Sequence, residues 1–362
     1  MRSALVLLIF VASALAVAGL SRAEGEAPTT LPGPAPRGRS AAYDVALENA
    51  RCEGCHEDIA ASWRGSLHQR SWVDPVFLSA YVIEPLPFCR GCHAPESDPQ
   101  KSPSKGARSV GVGCVSCHVS GDEIVGVRTI PGRAGLGDAG HAVRADPRLS
   151  TTDACVSCHE FEFPLRKGAL MQGTVTEHRA SRHAGASCQT CHMKPERSAS
   201  GRVFRGHGFS ASKDVSLLRS AVVASAKARG ERSFVVSLRA GEIGHAFPTG
   251  DMFRRLETRG FVVDEEDKPL LAAPPVVLER VFRSQSGSSG ADRVEVRDDR
   301  VPASGEPIDI VVVFPEPIVG KRVRWEVAYR RMGEAMASTF GVDMNVDEVV
   351  VARGILRAGK NQ

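Results

Sequence analysis

Residues 155–159 read Cys-Val-Ser-Cys-His, and this frame decides how the whole chain is read because it occurs four times more. It stands at Cys52–His56, Cys89–His93, Cys114–His118 and Cys188–His192. The ten cysteines are used up in five pairs of one spacing: Cys52/Cys55, Cys89/Cys92, Cys114/Cys117, Cys155/Cys158 and Cys188/Cys191. A histidine follows each second cysteine at once: His56, His93, His118, His159 and His192.

C-x-x-C-H is the attachment frame of c-type haem. Thiols three residues apart sit about one helical turn from each other, which suits addition to the two vinyl groups of one porphyrin. The adjacent histidine then reaches the iron from the proximal side. Zinc ribbons also use C-x-x-C pairs, but two pairs share one ion and nothing requires a histidine after each. Disulfide frameworks rarely come in one repeated short spacing. With 11 histidines among 362 residues, five chance placements have odds on the order of one in 10⁷. The expectation is five covalently bound haems c.

Six histidines remain: His68, His141, His178, His183, His207 and His245. A low-spin haem needs a second axial ligand, commonly His or Met. An internal repeat sorts the candidates. Trp63-Arg-Gly-Ser-Leu-His68 aligns with His178-Arg-Ala-Ser-Arg-His183. His183 matches His68, whereas His178 takes the place of Trp63 and reads as a packing or surface residue. His68, His141, His183, His207 and His245 are then the distal candidates, one for each iron. Cys55 to Arg70 reads as a helix with one glycine at 65. His68 lies 12 residues beyond His56, ~18 Å along such a helix, so it should serve a different haem. His207 is flanked by glycines, which lets the backbone approach a porphyrin. His141 follows the glycine-rich stretch 131–140. His245 stands in Gly244-His-Ala-Phe-Pro-Thr-Gly250 and is expected to cross a domain boundary to its iron. Met171, Met193 and Met252 read as apolar filler.

The pattern also divides the chain. Arg2, the apolar run Ala4–Leu20 and the small residues of Ser21-Arg22-Ala23 read as a signal peptide over 1–23, with an uncleaved membrane anchor as the alternative. Residues 24–42 are rich in Pro, Ala and Gly and read as a disordered linker. Residues 43–210 are expected to form a mainly α and irregular pentahaem domain, with loops at 96–111 and 131–140. Aromatics are only 6% of the chain, so porphyrins must fill much of that core. Residues 211–362 contain no cysteine and one histidine. Strand-like runs at 233–238, 260–263, 308–314 and 323–329, separated by turn signals, suggest a β-sandwich-like domain. A mixed α+β module with a helix at 219–230 is the alternative. The net charge of +4, with both signs interspersed, argues against a nucleic-acid partner.

The chain resembles the multihaem cytochromes c related to tetrahaem cytochrome c and hydroxylamine oxidoreductase. The matching features are the repeated frame, Trp63/Ser66/His68, Cys155-Val-Ser-Cys-His-Glu-Phe-Glu-Phe163, Met171-Gln-Gly-Thr174 and Cys188-Gln-Thr-Cys-His-Met193. The 244–250 segment is similar to one in C-terminal domains of related proteins. The resemblance covers about residues 50–250 and implies closely packed haems, bis-His irons and sometimes one open iron. The chain departs from the catalytic members. No C-terminal tyrosine motif of the oxidoreductase kind is present. All five frames end in His, whereas pentahaem nitrite reductases usually carry a Lys-terminated catalytic site.

The function expected is electron transfer in the periplasm or at the cell surface, through mostly bis-His haems. The alternative is an oxidoreductase acting on a small nitrogen or sulfur compound at one open haem. The implied partners are redox proteins or a membrane electron-transfer complex, together with the cytochrome c maturation machinery. Oligomerisation is compatible with the sequence.

Overall fold

Five short helices carry the five frames, and the rest of the first half is arranged around them. The computed structural model describes residues 44–98, 101–130, 140–209, 211–284, 290–343 and 348–357, which lie in one compact unit. The signal and linker segments, most of 131–140 and most of the 284–290 turn fall outside the described residues.

The helices are α1 (Val45–Cys55), α2 (Glu57–Trp63), α3 (Pro75–Ile83), α4 (Phe88–His93), α5 (Lys105–Val110), α6 (Cys114–His118), α7 (Asp153–His159), α8 (Thr174–Arg179) and α9 (Cys188–His192). Asp44, Asp74 and Ser104 cap α1, α3 and α5 by accepting backbone N–H bonds with their side chains. The Ser104 cap explains why a stretch read as loop holds a helix. The expected continuous helix over 55–70 is also absent. It breaks at His56 and ends at Trp63, and the chain turns at Gly65 with φ +79°.

Short strands connect these helices. They are β1 (Val119–Ser120), β2 (Glu123–Gly126), β3 (Arg144–Ala145), the β4/β5 hairpin (Glu160–Phe163 and Arg166–Gly173), and the β6/β7 ribbon (Pro195–Arg197 and Val203–Arg205). The apolar cluster of this half is small: Val45, Trp63, Ala107 and Val110.

Beyond α10 (Val215–Ser220) the chain becomes β-rich. Its strands are β8 (Val222–Arg229), β9 (Ser233–Ala240), β10 (Arg255–Val263), β11 (Pro269–Ala272), β12 (Val276–Ser284), β13 (Arg293–Asp298), β14 (Ile308–Val313), β15 (Arg322–Arg330) and β16 (Val349–Arg357), with α11 (Glu334–Phe340) between the last two. One sheet runs β13-β12-β10-β15-β16, with β11 paired to β10; the other runs β14-β9-β8. All the pairings are antiparallel. Phe234, Val236, Leu238 and Val312 of the small sheet share a core with Leu256, Val323, Val327 and Tyr329 of the large one. Residues 222–229, inside the stretch with a helical alternative, form β8 instead. Val222, Ala224 and Ala226 alternate inward as β8 pairs with β9, so tertiary pairing outweighs the helix-tolerant composition.

The two halves are fastened directly. Asp74, the cap of α3, forms a buried two-point ion pair with Arg331 at 2.7 and 3.0 Å. Arg166 pairs with Asp292, and Arg280 donates to the carbonyls of Leu170 and Met171.

Candidate haem sites and their axial histidines

Each frame spans one helical turn, so both cysteines face the same side and the histidine closes the helix or caps it. None of the ten cysteines is in a disulfide. The thiols of different frames adjoin. Cys52 lies in hydrogen-bond reach of Cys114, Cys92 of Cys158, and Cys155 of Cys188. The first frame thus neighbours the third, the second neighbours the fourth, and the fourth neighbours the fifth. Cys117 of the third frame acts by its charge on Cys155 of the fourth, and this joins the two groups into one.

The sequence treats the ten cysteines alike, as attachment points within a porphyrin-filled core, but the structure separates them. Cys55, Cys117 and Cys191 are exposed, whereas the other seven are half-buried. Each exposed thiol is the second of its frame, in the last turn of α1, α6 or α9, whereas Cys92 and Cys158, also second cysteines, cover each other.

The histidine rings give the sharpest test of fit to haem. A metal–nitrogen bond of roughly 2 Å on each side, plus roughly 1 Å from nitrogen to ring centre, places two axial imidazoles about 6 Å apart. Four proximal histidines have a second histidine at that spacing. His56 faces His141 at 6.1 Å, His159 faces His68 at 6.3 Å, His118 faces His207 at 6.2 Å, and His192 faces His245 at 6.2 Å. The residues fit the group. His68 lies across from the fourth frame, not the first, although the helix invoked for that expectation is broken. His245 reaches the fifth frame from the β-rich half.

His93 differs. Its ring stacks on Phe77 at 3.6 Å with planes 12° apart, beside Trp72 and Tyr81. Among the described residues no histidine ring faces it. His183 is not brought opposite a proximal histidine either. Its Nε2 lies 3.0 Å from Nε of Arg182, and its Cβ lies against Gly244. The one-to-one match of five distal histidines to five frames therefore stops at four. Met252 is buried, and its Sδ lies 3.6 Å from Nη1 of Arg293. His178 is buried with both ring nitrogens bonded to carbonyls, which leaves neither for a metal.

Backbone carbonyls aim the ligand rings. Nδ1 lies 2.7 Å from the Ser71 oxygen in His93, 3.0 Å from Val125 in His118, 2.7 Å from Arg205 in His207 and 3.0 Å from Ala246 in His245. At His159 the partner is the Gln172 side-chain amide, 3.0 Å away. Where Nδ1–H donates to a carbonyl, Nε2 is the nitrogen free to bind metal, and His159 reaches the same tautomer with the Gln172 amide turned so that its oxygen accepts from Nδ1. Burial pushes His68 down to about 3, and His159 and His245 down to about 4, with neighbouring histidines adding to the effect. Burial also lowers His56, His93, His192 and His207. Neutral imidazole is the form that ligates.

Sequence reading missed these orienting groups. Gln172 carried a signal, standing inside the quoted Met171–Thr174 motif; Ser71 and Val125 act through carbonyls and leave none. Gly111 was also missed. At φ +60°, a Cβ there would sit 2.6 Å from the backbone oxygens of His68 and Gln69, so only glycine lets the third frame pack against the His68 segment.

Comparison with known proteins bears on the family and the fold. The family model for cytochrome c554 and c-prime matches residues 51–119, which hold the first three frames. Among solved structures, a penta-haem cytochrome c552 from Thermochromatium tepidum is similar in fold. The TM-score is 0.66, covering 87% of this chain and 100% of that chain at 22% identity. No curated protein matches. The family match and the shared fold support a multihaem c-type cytochrome, with haem-based electron transfer as its chemistry.

Proposed function

We propose that the protein carries five haems c and transfers electrons in the periplasm or at the cell surface, with four of its irons held between two histidines. The single observation behind this reading is the set of four histidine pairs at 6.1–6.3 Å, each joining a C-x-x-C-H frame to a distant histidine. When bound, the haems supply reversible one-electron storage. The chain supplies the rest. Paired neutral imidazoles would hold four of the irons and keep small ligands out, the carbonyls on Nδ1 fix the rings, and the adjoining cysteines bring the frames together. We divide the described residues into a haem-bearing part ending near residue 210 and a β-sandwich-like part beyond it. His245 belongs to the second part and faces the first. Export in the oxidising compartment follows from the expected signal peptide and from thioether chemistry. A redox protein or a membrane electron-transfer complex is the partner such a carrier needs. Among the described residues no helix is long and apolar enough to cross a membrane.

A second reading applies to the frame at Cys89/Cys92. Among the described residues no second histidine ring stands about 6 Å from its His93, whose ring face is stacked on Phe77, and this favours one open iron able to take a small ligand. Mass spectrometry and electron paramagnetic resonance of the mature protein test both readings. The expected result is five covalent haems, four of them low-spin and one high-spin. His245→Ala should convert one further haem to high-spin and add affinity for CO. An unchanged spectrum in that variant would remove the cross-boundary pair.

A further inference from the structure

His178 spends both ring nitrogens on two backbone carbonyls. Nδ1 lies 2.7 Å from the oxygen of Gly244 and Nε2 2.8 Å from that of Ala186. Gly244 immediately precedes His245, and Ala186 stands two residues before Cys188. One ring thus joins the segment bearing the distal histidine to the segment bearing the attachment cysteines of the same site.

The first copy of the internal repeat contains half of this device. Trp63 Nε1 donates to the carbonyl of Val112 at 3.0 Å, and Val112 stands two residues before Cys114. The backbone repeats too. The Val112 N–H donates to the His68 carbonyl at 2.9 Å, and the Ala186 N–H donates to the His183 carbonyl at 2.9 Å. Ser66 and Ser181, buried in both copies, accept from Gln69 and His183. An indole has one N–H and anchors at one point. An imidazole at the same position anchors at two, and its second anchor is the His245 loop. The approach is close: a Cβ on Gly244 would lie 3.0 Å from His178 Nδ1.

We propose that His178 is a positioning residue of the fifth site, a two-point strap that sets the gap between His192 and His245. The proposal rests on the reading that those two histidines share one haem. The strap acts apart from the general docking of α8. Glu177 separately holds that helix, through Thr249 at 2.6 Å and Arg300 at 2.7 Å. A substitution at 178 should therefore leave the halves together and alter the axial gap alone.

The test is a spectroelectrochemical titration of His178→Phe and His178→Gln, each first shown by mass to carry its haems. His245→Ala serves as control. Phe keeps the ring volume and removes both donors; Gln retains one. The potential of one haem should move in both variants while the others hold, with the larger movement and a partial loss of one low-spin signal in the Phe variant. If Phe prevents maturation, the Gln variant decides. Parent-like potentials and low-spin signals in the variants would overturn the strap. If His245→Ala also leaves the spectrum unchanged, the shared-haem reading falls with it. If His245→Ala creates a high-spin haem and the His178 variants stay parent-like, only the strap fails.

Discussion

The haem-bearing half and the β-rich half bury their interiors by different means. In residues 211–357 a continuous apolar core runs between two sheets, from Leu218 through Leu256 and Tyr329 to Val351. In residues 44–210 the apolar cluster is Val45, Trp63, Ala107 and Val110, and the buried groups nearby include Asn49, Ser66, Ser116 and Gln189. Hydrophobic burial scales with the apolar area removed from water, so the second half has the larger driving force of its own for folding. On the proposed function the first half takes the porphyrins as core material, with its histidines and cysteines as the handles on them.

The largest effect should come from withholding haem. Expression without the cytochrome c maturation machinery should leave residues 44–210 open to limited proteolysis while a β-rich C-terminal fragment resists. Equal digestion of both halves would erase the contrast.

The contact between the halves comes next. Arg331→Ala strands the Asp74 carboxylate in a buried position, at a cost of about 3–5 kcal/mol. Asp74 also caps α3, so that helix and the stacked Phe77/His93 pair should loosen with it. Urea unfolding read at the Soret band and by circular dichroism reports both. Leu256→Ala, in the β core alone, should cost about 2–5 kcal/mol by circular dichroism and leave the haem spectrum unchanged until unfolding. A Soret change ahead of unfolding would mean that the two interiors are one.

The smallest effect concerns pH. Burial alone would raise the Asp74 carboxyl, but the hydrogen bonds and charge of Arg331 outweigh it and leave the pKa below its ordinary value. Asp298 is lowered in the same way by Arg300, and hydrogen bonds from Arg259 lower Glu348. A depressed carboxylate contributes stability above its unfolded pKa and loses it as pH falls through the folded value. The urea midpoint should therefore decline as pH is lowered from about 5 towards 3. Arg331→Ala should flatten that decline.

The sequence alone determined the cofactor class, since a thiol pair followed by histidine is local chemistry, complete within five residues. It also determined the β-rich character of the last third, because β9 and β14 are runs of β-branched and apolar residues and β15 alternates as a half-buried strand does. Which histidine faces which was left to tertiary structure. His68 meets His159 and His207 meets His118 across long sequence separations, through turns at Gly65 and Gly111 that no periodicity encodes. The same holds for the thiols: five identical frames give no sign that Cys52 meets Cys114 and that Cys155 meets Cys188. The repeat carried the backbone of the His68 segment faithfully into the His183 segment. It could not say that His183 would stand beside Gly244 with no proximal ring before it. Axial pairing is a property of two segments meeting in space, and a local pattern states only what each segment can offer.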